Sequence, residues 1–207
     1  ALMSQRLRYF DVSNFAGPIS EFEKFVRDKT RQKVLWSNYT EMVSQVLLEA
    51  VTEKPIDVLI RMAQAPASPR VLTELRKRGV ITALWFQEDY LRFTYWREFA
   101  QYYDFVFTIQ RGECLELIRR AGAGEVHYLP MACDPGIHQP MMLTAEDRER
   151  WGSPISFVGA GYHNRQQAFA SFAELPFKIW GTEWPLNRPF DKLVQEKGRR
   201  LAPEEYV

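Results

Sequence analysis

Cysteine is scarce. Cys114 and Cys133 are the only two in 207 residues, too few for a disulfide framework, and this points to a reducing compartment. Long apolar runs are missing too. No stretch approaches the roughly 18 residues of a membrane-spanning helix. The opening ALMSQRLRYF has no signal-peptide apolar core, so a cytoplasmic chain with no membrane span is expected. Neither sign of charge is in excess: 27 Lys+Arg stand against 26 Asp+Glu, a formal charge of +1. That balance gives no reason to expect a nucleic-acid partner. The three histidines, His127, His138 and His163, show no HExxH or Cys/His spacing, and no metal site is expected from them. There is no G-x-S-x-G elbow and no Walker lysine. Cys114, beside Leu115 and Leu117, reads as a buried structural thiol before it reads as a nucleophile.

What the chain does hold is core-forming material. Hydrophobic residues make up 46% and charged residues 26%, a composition for a globular fold of one or two domains. Ser20-x-x-Glu23 has capping-box spacing and predicts a first helix. A second apolar stripe at helical spacing (Met42/Val43, Val46/Leu47, Ala50/Val51) ends at Pro55. The period then changes. Strands are predicted at 57–60, 80–86, 105–108 and 126–129. They alternate with helices opened by Ser68-Pro69 and predicted at 92–101 and 113–121. Such alternation indicates βαβ units and a parallel sheet. Residues 130–143 (PMACDPGIHQPMML) hold three prolines and a glycine without periodicity, as a linker would. A short helix at 144–151 follows. A new unit then starts with a strand at 155–158, the turn GAGYHNR, a helix at 166–173 and a strand at 177–180.

The expected fold class is therefore α/β. A Rossmann-like parallel-sheet domain (1–142, with the interdomain linker 130–143) precedes the beginning of a second Rossmann-like domain (143–207) that is incomplete. Both ends read as cut from something longer: the chain does not begin with Met, and it stops just after a Pro-Glu-Glu helix start.

Two places could carry chemistry. The turn Gly159-Ala160-Gly161-Tyr162-His163-Asn164-Arg165 lies between a strand and a helix, where backbone N–H groups and Arg165 could meet a phosphate. It lacks the third glycine of GxGxxG, and the alternative is a tight turn with a solvated arginine. Glu88 and Asp89 follow the carboxyl end of a strand, the functional edge of a parallel sheet, and either could serve as a general base. The alternative is that Asp89 caps the next helix and Glu88 is solvated. The aromatic cluster Tyr90, Phe93, Tyr95, Trp96, Phe99, Tyr102, Tyr103 reads mainly as core or interface.

Taken together, ALWFQED, YDFVFTIQRGECLELIRRAGAGEVHYLPMACDP, ISFVGAGYHNR and KIWGTEWP resemble the spore-maturation (CgeB-like) glycosyltransferase family in order and spacing, over roughly residues 55–185. The family is similar to two-domain GT-B enzymes. The resemblance implies a nucleotide-sugar donor held mainly by the second domain, an acceptor (glycan, lipid or protein) bound mainly by the first, and no cofactor or obligatory metal. It places Gly159, Gly161, Asn164 and Arg165 near the donor diphosphate, with Gly181 close by, and 129–134 at the interdomain crossing. The acidic residue that such enzymes set on the donor ribose would lie beyond position 207. A non-catalytic GT-B-like binding or assembly protein of spore or envelope maturation is therefore the alternative. A receiver-like or periplasmic-binding-like sensor is a third reading.

Overall fold

The structure is a computed structural model. It describes residues 6–136, 138–202 and 205, with Ser13 and Asn14 described by backbone only. The chain falls into two compact units, residues 1–131 and 132–207.

Two helices lead the first unit, α1 (Ser13–Phe25) and α2 (Lys29–Glu53). The predicted start at Ser20 is overturned, because Ser20 lies inside α1 and Glu23 does not reach back to it. Instead Glu23 Oε2 accepts from Trp36 Nε1 at 3.0 Å, and Gln32 Nε2 donates to the Val26 carbonyl at 2.7 Å. Ala16, Ile19 and Glu23 form one half-buried stripe; its packing carries the helix through Pro18. Asp28 caps α2 by accepting from Arg31 N at 2.8 Å.

Four strands follow: β1 (Val58–Met62), β2 (Ile81–Phe86), β3 (Phe105–Thr108) and β4 (Glu125–Tyr128). They pair in parallel in the order β1-β2-β3-β4. The crossovers carry α3 (Pro69–Lys77), α4 (Trp96–Phe99) with a 3₁₀ turn at Ala100–Tyr102, and α5 (Glu113–Arg120). Because each crossover steps the same way and such crossovers are right-handed, all three helices share one face of the sheet. On that face Leu84, Phe86, Val106 and Val126 pack with Leu72, Leu75 and Ile118, all buried. On the opposite face the β1 side is exposed, with Val58, Ile60, Met62 and Ile81 at 45%, 58%, 48% and 42%, while Ala83 on that face is buried.

The helix predicted at 92–101 is shorter than expected. Asp89 stops it from starting early, because its carbonyl accepts from Arg92 N and Phe93 N and its Oδ1 from Leu91 N at 2.9 Å. That local turn competes with helix.

In the second unit Thr144 and Asp147 form a capping box at the start of α6 (Ala145–Trp151). Then β5 (Ile155–Val158), α7 (His163–Phe169), a 3₁₀ turn at Ala170–Phe172 and β6 (Phe177–Trp180) make one parallel βαβ unit. Its own core gathers Phe177, Ile179, Trp184, Phe190 and Leu193. Helix α7 begins three residues earlier than the sequence predicts, so His163, Asn164 and Arg165 belong to its first turn. Both units are α/β with parallel pairing, compatible with Rossmann-like folding. No helix among the described residues is long and apolar enough to cross a membrane.

Candidate functional site

The turn after β5 is built by backbone packing against the segment after β6. Gly159 N donates to the Trp180 carbonyl and Gly161 N to the Thr182 carbonyl, both at 2.8 Å. Trp184 Nε1 donates back to the Gly159 carbonyl at 2.8 Å. The approach leaves no room for side chains. A Cβ on Gly181 would stand 2.3 Å from the Gly159 oxygen, and one on Gly161 would stand 2.6 Å from the Trp184 ring. The glycines are therefore required for close packing, and the amides of Gly159 and Gly161 are already used.

Arg165 folds back on this turn. Its Nη1 donates to the Ala160 carbonyl at 2.8 Å, and its guanidinium stands 5.2 Å from the Phe157 ring centre and 4.9 Å from that of Tyr162. The side chain is half-buried and held in place. Gln166, which the sequence reading passed over, ties the two segments by donating to the carbonyls of Gly161 and Glu183. The structure thus brings Gly159, Gly161, Arg165 and Gly181 together, while Asn164 sits exposed on the first turn of α7.

The other predicted pair lies in the first unit, past β2. Glu88 and Asp89 are neighbours in sequence that do different things. Asp89 is exposed and closes its own turn onto Leu91 N through Oδ1. Glu88 is half-buried; its Oε1 accepts from Gln64 Nε2 at 2.5 Å. Its Oε2 is buried and makes no hydrogen bond, and the same holds for the Tyr95 hydroxyl. The two groups are neighbours that miss full hydrogen-bond geometry. Burial first, and then the Glu88 carboxylate beside it, push the Tyr95 hydroxyl well above its ordinary range.

Sequence reasoning missed the rest of this edge. Arg61, in β1, donates from Nη1 to the Tyr103 hydroxyl at 2.9 Å and stacks between Tyr95 and Phe99. A charge at an inward-facing strand position was the available signal. Most of the aromatic cluster is core: Trp96 and Tyr103 are buried, and Tyr90, Phe93, Tyr95, Phe99 and Tyr102 pack against them.

Cys114 is fully buried beside the Thr108 hydroxyl at 3.6 Å. Burial pushes its thiol pKa up, which disfavours the thiolate a nucleophile needs. Among the described residues no cluster of three His, Cys, Asp or Glu side chains is placed to hold a metal ion. No family model matches the chain, and no curated protein matches it.

Proposed function

We propose that the chain belongs to a glycosyltransferase of GT-B type that moves a sugar from a nucleotide-sugar donor to an acceptor hydroxyl in the cytoplasm. The observation that carries this reading is the turn after β5, where Arg165 is held by Ala160 and two aromatic rings at the start of a helix in a parallel βαβ unit. A guanidinium held in this way keeps its remaining N–H groups oriented for a diphosphate without a large entropic cost. Asn164, exposed one residue earlier, offers a further donor. Gly159, Gly161 and Gly181 serve the donor side indirectly, by letting the two segments meet backbone to backbone. On the acceptor side Asp89 is the better base of the pair: it is exposed, and only its Oδ1 is engaged. In this reading Arg165 of the second unit would stabilise a leaving diphosphate, and Asp89 of the first unit is the candidate to deprotonate an acceptor hydroxyl.

One observation favours the second reading, a non-catalytic binding or assembly protein. The amides of Gly159 and Gly161 already donate to the Trp180 and Thr182 carbonyls and are not free for a phosphate.

Calorimetric titration of the chain with UDP, GDP and their hexose conjugates separates the two readings. The enzyme reading expects binding that Arg165→Ala weakens by roughly 10- to 100-fold, the loss of one charge-assisted hydrogen bond or more. Absence of binding to every nucleotide, or unchanged affinity in a folded Arg165→Ala variant, removes the donor assignment.

A further inference from the structure

Arg61 is the one charged side chain among the described buried residues, at 9% exposure. It sits at an inward-facing position of β1, its Nε donating to the Ala65 carbonyl and its Nη1 to the Tyr103 hydroxyl. It forms no ion pair with a carboxylate among the described residues. A guanidinium taken out of water is costly unless opposite charge lies near. Tyr95 lies between that charge and Glu88: its ring stacks on Arg61 with 5.6 Å to the centroid, and its hydroxyl feels the Glu88 carboxylate.

The other end of this chain of groups is also fixed. Gln64 holds Glu88 Oε1, and Gln64 follows Ala63, whose φ of 45° is a left-handed conformation in a non-glycine residue. Such backbone persists only where its surroundings hold it, here the Arg61–Ala65 and Gln64–Glu88 bonds on either side. Three buried polar atoms among the described residues are unpartnered: Trp85 Nε1, Glu88 Oε2 and the Tyr95 hydroxyl, and the last two are an acceptor and a donor that neighbour each other. Buried polar atoms are rarely left so. A hydrogen bond from the phenol to the carboxylate would satisfy both at once.

We propose that Tyr95 is a positioning residue, whose hydroxyl donates to Glu88 Oε2 and, with Gln64 on Oε1 and Arg61 beneath the ring, fixes the loop that presents Asp89. The carboxylate of Glu88 is then held on both oxygens and acts as a buttress. Asp89, next in the chain, keeps Oδ2 for a ligand. This division of roles rests on reading Asp89 as the acceptor-side base, but the hydrogen bond itself does not.

The test uses Tyr95→Phe, Glu88→Gln, their double variant and the mild surface change Gln64→Ala. Proton NMR of the parent should show a slowly exchanging phenolic hydroxyl that Tyr95→Phe removes and that both Glu88→Gln and Gln64→Ala shift. Hydrogen exchange at the Leu91 amide, which Asp89 holds, should quicken roughly tenfold in Tyr95→Phe, for about 1.4 kcal/mol of lost local order. The double variant should be no worse than the worse single one, since both changes act on the same Tyr95–Glu88 bond, which Tyr95→Phe removes and Glu88→Gln weakens. If the parent hydrolyses UDP-glucose, Tyr95→Phe should lower kcat roughly tenfold with KM unchanged. A hydroxyl signal indifferent to Glu88→Gln, or single effects that add in the double variant, overturns the proposal. A parent that hydrolyses no nucleotide sugar, while the NMR and exchange results hold, sinks the glycosyltransferase reading and leaves the positioning role standing.

Discussion

Gly181 shows how a single missing methyl can set local structure. Its φ of 131° and the 2.3 Å from a built Cβ to the Gly159 oxygen leave no accommodation except movement of one segment. Gly181→Ala should therefore destabilise the second unit by about 1–3 kcal/mol, read from the urea unfolding of its tryptophan fluorescence. Glu88 and Asp89 make the opposite case, where two like residues differ by surroundings. If Asp89 is the base, Asp89→Asn should reduce donor turnover by at least ~100-fold with little change in donor affinity. If it is only a turn cap, Asn substitutes with little cost, while Asp89→Ala loses about 1 kcal/mol of stability. Stopped turnover assays on both variants separate the two. The place of GAGYHNR between a strand and a helix was legible in the sequence because its glycines follow a short apolar run and precede a helical stretch. That its glycines serve packing against 181–184 was not, since Trp184 and Glu183 lie some twenty residues on and only the fold brings them there.

Helix starts were readable where the capping side chain met no competitor. Ser68-Pro69 behaves as the sequence suggests, with Ser68 accepting from Val71 N; Thr144, expected only as the first residue of a short helix, is its cap and accepts from Asp147 N. Ser20 did not, because a hydroxyl inside a helix that is already packed on α2 has no free amide to cap. The start of α4 was misplaced for a related reason: Asp89 spends itself on the turn before it. These differences give two checks on elements. Thr144→Ala should cost about 1 kcal/mol of stability. Ser44→Ala should cost more, about 1–3 kcal/mol, because it strands the buried Ser68 amide that donates to the Ser44 hydroxyl at 2.8 Å and so loosens α3 from α2. Denaturant midpoints of the two variants, measured side by side, give the order.

Across the whole molecule, acid should act on both units through carboxylates held in their charged form. Burial raises the Asp104 pKa, but the Thr82 amide and hydroxyl and the Arg76 guanidinium outweigh it and hold it below the ordinary 3.8. In the second unit Arg199 and the Ala202 amide bring Glu205 down to about 2, while Arg150 and Arg199 lower Glu196. A depressed folded pKa means stability that is complete above the unfolded carboxyl range and lost as pH falls through the folded value. Unfolding monitored by circular dichroism should therefore begin below about pH 4 and shift upward in Asp104→Asn. The alternation of strands and helices was legible because periodicity reports burial. The order of the strands was legible only as a class, since right-handed crossovers permit helices on one face or two. Stepping in one direction throughout leaves Val58, Ile60, Met62 and Ile81 facing water. Strongly excluded salts raise the free-energy cost of leaving that surface in water. The chain should accordingly salt out at lower ammonium sulfate than a protein of equal size with both sheet faces covered, and Ile60→Lys should raise its precipitation point without moving its unfolding midpoint.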